Sequence, residues 1–307
     1  MDRISCMQSF VRVLEMNSFS AVAREQKTTQ PTISKQIAAL EKYLGVQLIT
    51  RSTTNLSLTE EGKKYYQYCQ RILETIAEAE ASLTAKPQAS GILRLGCPVL
   101  FGQMQIVPRL KLFMEYYPDV KIDLMMADHF VDIIESGLDL IIRIGSQLDH
   151  SLISHHIGTT RRVTVATKRY FEEAGKPEVP HDLIQHNCIV YTHLSTSNEW
   201  HFRDQNSTKN YPEQEQIIKV PVSGCFQTNS SVAVRAAVLS DLGIAVTPIW
   251  MFGDEIDRGD VQIVLQDYQP TSLPICGVYR RSRFYPAKIT CFIDFLATQF
   301  KFDSKVS

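Results

Sequence analysis

Residues 18–45 read SFSAVAREQKTTQPTISKQIAALEKYLG. Two helices with a tight turn between them are written into this stretch. Ser18 precedes 19–26 as an N-cap, because its hydroxyl can accept from an otherwise unpaired N–H of the first turn. Lys27, Thr28 and Thr29 make a short polar turn. Pro31 stands in the first turn of the second helix, where a missing N–H costs nothing. Ile33, Ile37, Leu40 and Leu44 follow at steps of three or four, one apolar helix face. Gly45 falls where a left-handed C-terminal cap is expected. Ala21 and Ala23 are small enough for the second helix to cross closely over the first. This is the spacing of a helix-turn-helix. The second helix has Gln30, Pro31, Thr32, Ser34, Lys35 and Gln36 available for its outer edge. Glutamine pairs bidentately with adenine, and proline or threonine carbons touch the thymine methyl. Lys35 and, further on, Arg51 bring charge to phosphates, the salt-dependent part of affinity.

The flanking sequence extends this unit on both sides. Ile4, Met7, Val11 and Leu14 fall on one 3.6-residue stripe with Phe10 beside it, which predicts a preceding helix. After Gly45, residues 46–58 (VQLITRSTTNLSL) alternate and are rich in β-branched side chains, with Thr53-Thr54-Asn55 at the middle. That pattern predicts a small hairpin, or wing. Thr59-Glu60-Glu61 opens a long helix with acidic residues where the helix dipole favours them. Tyr65, Cys69, Ile72, Ile76, Ala79 and Leu83 follow at heptad steps. The seam is either a dimer interface or a face packed on its own domain. Residues 86–91 (KPQASG) then read as a linker.

Beyond the linker the texture changes to alternating strands and helices. The pattern predicts a strand at 92–97, a helix at 103–117, a strand at 120–126, a short helix at 130–136 and a buried strand at 138–144. This βαβαβ order argues for a parallel sheet with right-handed crossovers. Further strands are expected near 163–166, 188–192, 217–222, 244–246 and 275–279, with helices at 230–241 and 288–300.

The chain has 307 residues, enough for two or three domains. With 44% hydrophobic and 21% charged residues, disorder over most of the length is excluded. The longest nearly uncharged apolar run, 242–252, is well short of the roughly 20 residues a membrane span needs. No apolar core of an export signal follows Met1, so a cytoplasmic protein is expected. The net charge of -1 hides an asymmetry, because residues 1–64 carry +3 and the remainder -4. The seven cysteines lie at 6, 69, 97, 188, 225, 276 and 291, the nearest two 15 apart. They form no paired zinc motif, and the eight histidines show no metal-ligand spacing. No dinucleotide, P-loop or nucleophile-elbow signature is present. No metal, cofactor or catalytic set is therefore expected.

Taken together, Phe10, Ser18-Phe19-Ser20-Ala21-Val22-Ala23-Arg24, Gln30 to Ile37, Leu40-Glu41, Leu44-Gly45-Val46, Leu48, Arg51 and Leu58-Thr59-Glu60-Glu61-Gly62 resemble the LysR-type transcriptional regulators. Asp139 to Gly145, Asp182 to His186, Gly243 to Val246 and Phe292 to Leu296 resemble that family's effector domain in outline. The likeness implies an α+β multidomain chain. It would comprise a winged helix-turn-helix at 1–58, a dimerisation helix at 59–86, a hinge at 87–91 and a two-lobed α/β effector domain of periplasmic-binding-protein type at 92–307. The first lobe would hold 92–162 and 270–307, and the second 163–269. It also implies a dimer of dimers on inverted-repeat double-stranded DNA, a small-molecule effector, and RNA polymerase as a further partner. Carried over to this chain, the DNA contacts are Thr29, Gln30, Pro31, Thr32, Ser34 and Lys35, with Arg51 and Thr53 on the wing.

Two-lobed folds hold ligands at strand C-termini and helix N-termini. The candidate effector residues are Val99, Leu100, Phe101, His129, Phe130, Arg143, Thr228, Asn229, Ser230, Thr247 and Pro248. Val99, Leu100 and Phe101 stand where many relatives of that family place small hydroxyl residues, which makes the pocket mouth more apolar. Arg143 either meets a ligand carboxylate or makes a structural ion pair. Thr228, Asn229 and Ser230 either offer N–H groups to an anion or simply cap a helix. Cys225 is either a thiol switch or a buried strand cysteine. Redox or pH sensing without an organic ligand, or an enzyme or solute binder with an accessory helical domain, are the rival functions.

Overall fold

Asp2 starts the chain's first helix by accepting from Ile4 N at 3.0 Å and Ser5 N at 3.4 Å. In the computed structural model, residues 1–51, 56–81, 89–145, 152–194, 198–205, 217–281 and 286–303 are described. The chain divides into two compact units, Met1–Gln88 and Ala89–Ser307.

The first unit contains α1 (Arg3–Met16), α2 (Phe19–Glu25) and α3 (Gln30–Leu44). The expected caps are in place. Ser18 accepts from Ala21 N, Pro31 lies in the first turn of α3, and Gly45 ends α3 at φ +72°. Strands β1 (Ile49–Arg51) and β2 (Leu56–Leu58) pair antiparallel as the wing, and α4 (Glu60–Ala81) follows. The core gathers Phe10, Val13, Val22, Ile33, Ile37, Leu40, Leu48 and Cys69. Of the expected α1 stripe, Val11 is buried and Met7 and Leu14 pack half-buried against the core, and the buried face is wider than that stripe. Cys6, Ser9, Phe10 and Val13 face inward, while Ile4 is 44% exposed. Small side chains flanking Phe10 let α1 lie close to α3 and let that ring sit against Tyr65 and Tyr66.

The second unit is built on a five-stranded sheet. Its strands are β3 (Gly91–Cys97), β4 (Val120–Met126), β5 (Leu140–Ile144), β6 (Leu152–Thr160) and β15 (Leu273–Arg280), in the order β4-β3-β5-β15-β6. Only β3 with β4 and β3 with β5 run parallel; β15 is antiparallel to β5 and β6. The sheet is therefore mixed, because the chain leaves after β6 and returns through β15. Helical turns α5 (Val99–Phe101) and α6 (Val107–Tyr116) are joined by a π-turn at Gly102–Ile106. Helix α10 (Ala287–Asp303) packs Phe292, Ile293 and Leu296 onto this sheet. The expected helix at 130–136 is only a turn. Asp132 Oδ1 accepts from Ile134 N and Glu135 N, and Gly137 at φ +70° ends the segment at once.

The intervening chain makes a second lobe of small sheets. Strands β7 (Arg162–Thr167), β12 (Ala245–Pro248) and β13 (Val261–Val264) form one, in the order β12-β7-β13. Strands β9 (Glu199–Asp204), β10 (Ile217–Pro221) and β14 (Tyr268–Pro270) form another, and β8 (Val190–Tyr191) pairs with β11 (Gln227–Thr228). Helices α7 (Lys168–Ala174), α8 (Ser231–Leu239) and α9 (Gly253–Arg258) cover them. Two short segments join the lobes: β6 passes into β7 through Arg161, and β14 into β15 through Thr271 and Ser272.

Candidate nucleic-acid interface and ligand cavity

The first helical turn of α3 presents its polar edge outward. Thr29, Gln30, Pro31, Thr32 and Lys35 are exposed and Ser34 is half-buried. Thr29 takes the N-cap position without a side-chain bond to the helix; its hydroxyl meets that of Thr32 at 2.8 Å. Gln36 belongs to a different surface. Its Oε1 accepts from the buried Ser9 hydroxyl at 2.7 Å, so it fixes α3 to α1 and does not reach outward. Arg51 is described by its backbone alone, and Thr53 lies outside the described residues.

Two interactions that sequence patterning did not single out set the wing's position. Glu41 Oε1, on the far side of α3, accepts from Leu48 N at 2.8 Å and Ile49 N at 3.1 Å. Thr59 Oγ1 donates to Gln47 O and accepts from Gly62 N at 2.8 Å, which caps α4 and ties it to the base of the wing. A Cβ on Gly62 would lie 2.0 Å from Leu48 O, so α4 approaches the wing closely only with glycine there. Along the expected heptad seam, Cys69 is buried and Tyr65 half-buried in their own unit's core, whereas Ile72 is 40% exposed and Ala79 is exposed. Leu83 lies outside the described residues. The first part of the seam thus serves the unit itself.

A cavity of about 700 Å³ opens between the two lobes. The ends of β3, β4 and β5 form one wall, residues 191–194 of the second lobe the other, and Arg162 with 271–274 the floor. His129, Phe130 and Arg143 of the expected set line it. The Arg143 guanidinium stacks over the Phe130 ring at 4.6 Å, a cation–π arrangement. Cys97 and Tyr191 also line it, and both stay protonated. Burial pushes each to about 12, with the Asp128 carboxylate adding to the effect.

The other expected residues do not line the cavity. Leu100 is buried among second-lobe side chains such as Val163, Val234 and Phe252. Phe101 packs edge-on to Trp250 at 5.6 Å. Thr247 is 2% exposed within its sheet, and Pro248 follows it into a short turn. Ser230 caps α8 by accepting from Ala233 N, Thr228 accepts from Ser230 N, and Asn229 is exposed. The anion at these helix starts is the chain's own. Asp128 accepts from Val99 N at 3.0 Å and from Ser231 N at 3.3 Å, so one carboxylate spans the starts of α5 and α8. Cys225 is exposed rather than buried; Asn187 Nδ2 donates to its sulfur at 3.2 Å.

Arg162, Thr271, Tyr191 and His193 escaped the sequence reading. Only Arg162 carried a visible sign, a charge at the head of the apolar strand 163–166.

A helix-turn-helix unit followed by a two-lobed unit with an interlobe cavity is the layout of a ligand-responsive transcriptional regulator. Two family models match this chain. One, described as a bacterial regulatory helix-turn-helix protein of the lysR family, covers residues 4–63; the other, the LysR substrate binding domain, covers 86–301. The chain belongs to the LysR family of transcriptional regulators. It is 32% identical over 301 residues to the HTH-type transcriptional activator AaeR of Escherichia coli, covering 98% of this chain and 94% of that one. It is also 32% identical over 291 residues to an HTH-type regulator of Haemophilus influenzae, covering 94% and 98%. Among solved structures it is similar to CrgA of Neisseria meningitidis, at 27% identity, a TM-score of 0.59 and coverage of 96% and 98%. Full-length AphB of Vibrio cholerae gives 29% identity and a TM-score of 0.56 over 96% and 98%.

Proposed function

We propose that this regulator reads inverted-repeat promoter DNA as a paired assembly and that a small molecule in the interlobe cavity alters its grip. The observation that carries the reading is the exposed polar edge of α3 from Thr29 to Lys35. Gln30 and Pro31 are suited to base edges in the major groove, and Lys35 to phosphate. Arg51 and Thr53 of the wing complete the contact set. The exposure of Ile72 on the α4 seam supports pairing through that helix, with a dimer of dimers as the full assembly and RNA polymerase as the partner it addresses. A ligand can act only through different affinity for two lobe arrangements. The two short crossings between lobes suit such a change.

Anisotropy titration with an inverted-repeat fragment from the region upstream of its own gene tests this reading. Specific binding with a steep salt dependence is expected, and equal affinity for scrambled DNA refutes it. A thiol-based signal is a second reading, favoured by the exposure of Cys225 beside Asn187. Loss of oxidant-dependent changes in DNA binding on Cys225→Ser supports it, and an unchanged response removes it.

A further inference from the structure

Among the described residues, only two charged side chains are buried: Lys288, 3% exposed, and Arg162, 5% exposed. Their surroundings differ in kind. Lys288 Nζ lies 3.3 Å from an Asp139 carboxylate oxygen and donates to Ile92 O. Among the described residues, no carboxylate meets Arg162. Its Nε donates to Thr271 O at 2.5 Å and its Nη2 to Thr271 Oγ1 at 3.2 Å, and these are its hydrogen bonds. A buried ion is costly to retain unless an opposite charge meets it. Burial alone, with no neighbouring carboxylate against it, draws this guanidinium down to about 10.

Arg162 and Thr271 both line the cavity floor. They also stand on the two crossings between the lobes, at the head of β7 and just after β14. A guanidinium carries five N–H donors in a planar fork that matches a carboxylate. Thr271 leaves part of that fork unused. Phe130, Leu138, Leu273 and Pro274 supply apolar wall beside the polar groups of Asp128, His129, Arg143 and His193.

Building on the effector reading above, we infer that the cavity's ligand is an organic carboxylate with an apolar body, and that Arg162 is the residue that selects its charge. The ligand's carboxylate supplies the counter-charge that the fold omits. Its apolar body lies against Phe130 and Leu273. Because Arg162 and Thr271 sit on opposite crossings, a carboxylate on the fork bears directly on the lobe angle.

The test uses the full chain and matched acid–amide pairs: benzoate with benzamide, and hexanoate with hexanamide. Thermal unfolding and calorimetric titration are the readouts. At least one acid is expected to raise the unfolding midpoint and its amide not to. Arg162→Met is expected to unfold at the same or a higher temperature without ligand, since an unmatched buried charge is gone, and to bind the acid about thirtyfold more weakly or worse. Equal responses to acid and amide, no response to either acid, or an unaltered acid response in the variant overturns the inference. If Arg162→Met does not fold, Arg162→Lys carries the test. Weaker binding that still prefers acid to amide supports the role, and lost preference overturns it. Anisotropy on DNA without any acid tests the regulator reading separately, so failure of one is distinguishable from failure of the other.

Discussion

Replacing Asp128 by alanine should loosen the joint between the lobes by a measurable amount. Its carboxylate accepts from Val99 N at 3.0 Å in the first lobe and from Ser231 N at 3.3 Å in the second. A hydrogen bond to a charged group contributes about 1.5–3 kcal/mol. The Ser231 contact is longer and adds less, so Asp128→Ala should cost about 2–3 kcal/mol in all. For a unit of this size each kcal/mol moves the midpoint by about 2–4 °C, which gives a fall of roughly 4–12 °C. The assay is direct because Trp200 and Trp250, the only tryptophans, both lie in the second unit. Their fluorescence reports its unfolding without signal from the first. Asp128→Asn keeps one acceptor oxygen and should lose roughly half as much. A midpoint for Asp128→Ala within about 1 °C of the parent, or equal losses for Ala and Asn, would refute the bridging role.

Further outcomes can be checked separately. Gln30→Ala should cost about 1–3 kcal/mol at one base position and relax specificity there, measured with single-base variants of the binding site; equal loss on random DNA contradicts it. Gly62→Ala forces a Cβ to within 2.0 Å of Leu48 O. It should destabilise the first unit by about 3 kcal/mol or more, and a parent-like circular-dichroism melt would exclude that. Burial holds the His186 imidazole below its ordinary value, with Asp182 opposing. The unfolded chain then takes up a proton near pH 6.5 before the folded one does. Stability present above that pH is lost progressively as pH falls below it. His186→Asn should flatten this fall in tryptophan-detected melts, and an unaltered profile counts against it.

The first unit was legible because its signals are local. Ser18, Pro31 and Gly45 act within one turn of their own position, and the stripe of α3 has one neighbour set to satisfy. The α1 stripe holds for Met7, Val11 and Leu14 but omits Cys6, Ser9 and Val13, because the helix packs against more than one neighbour and a single periodicity cannot express that. The second unit was harder. Strands β8 and β11 have two residues each, too short to carry a period, and β15 joins its sheet from the far end of the chain. His129, Phe130 and Arg143 line the cavity because they end strands or follow them. Arg162 was missed because its meaning comes from Thr271, 109 residues away. Leu100 and Phe101 were misplaced because their helix turns inward to fill the seam between two cores.

The carboxylate of Glu41 clasps the first residues of the wing to the helix behind them. A hairpin hinged on its own would let each protein head adjust to a poor sequence by flexing. Bracketed in this way, helix and hairpin must translate together, like a stamp that cannot bend.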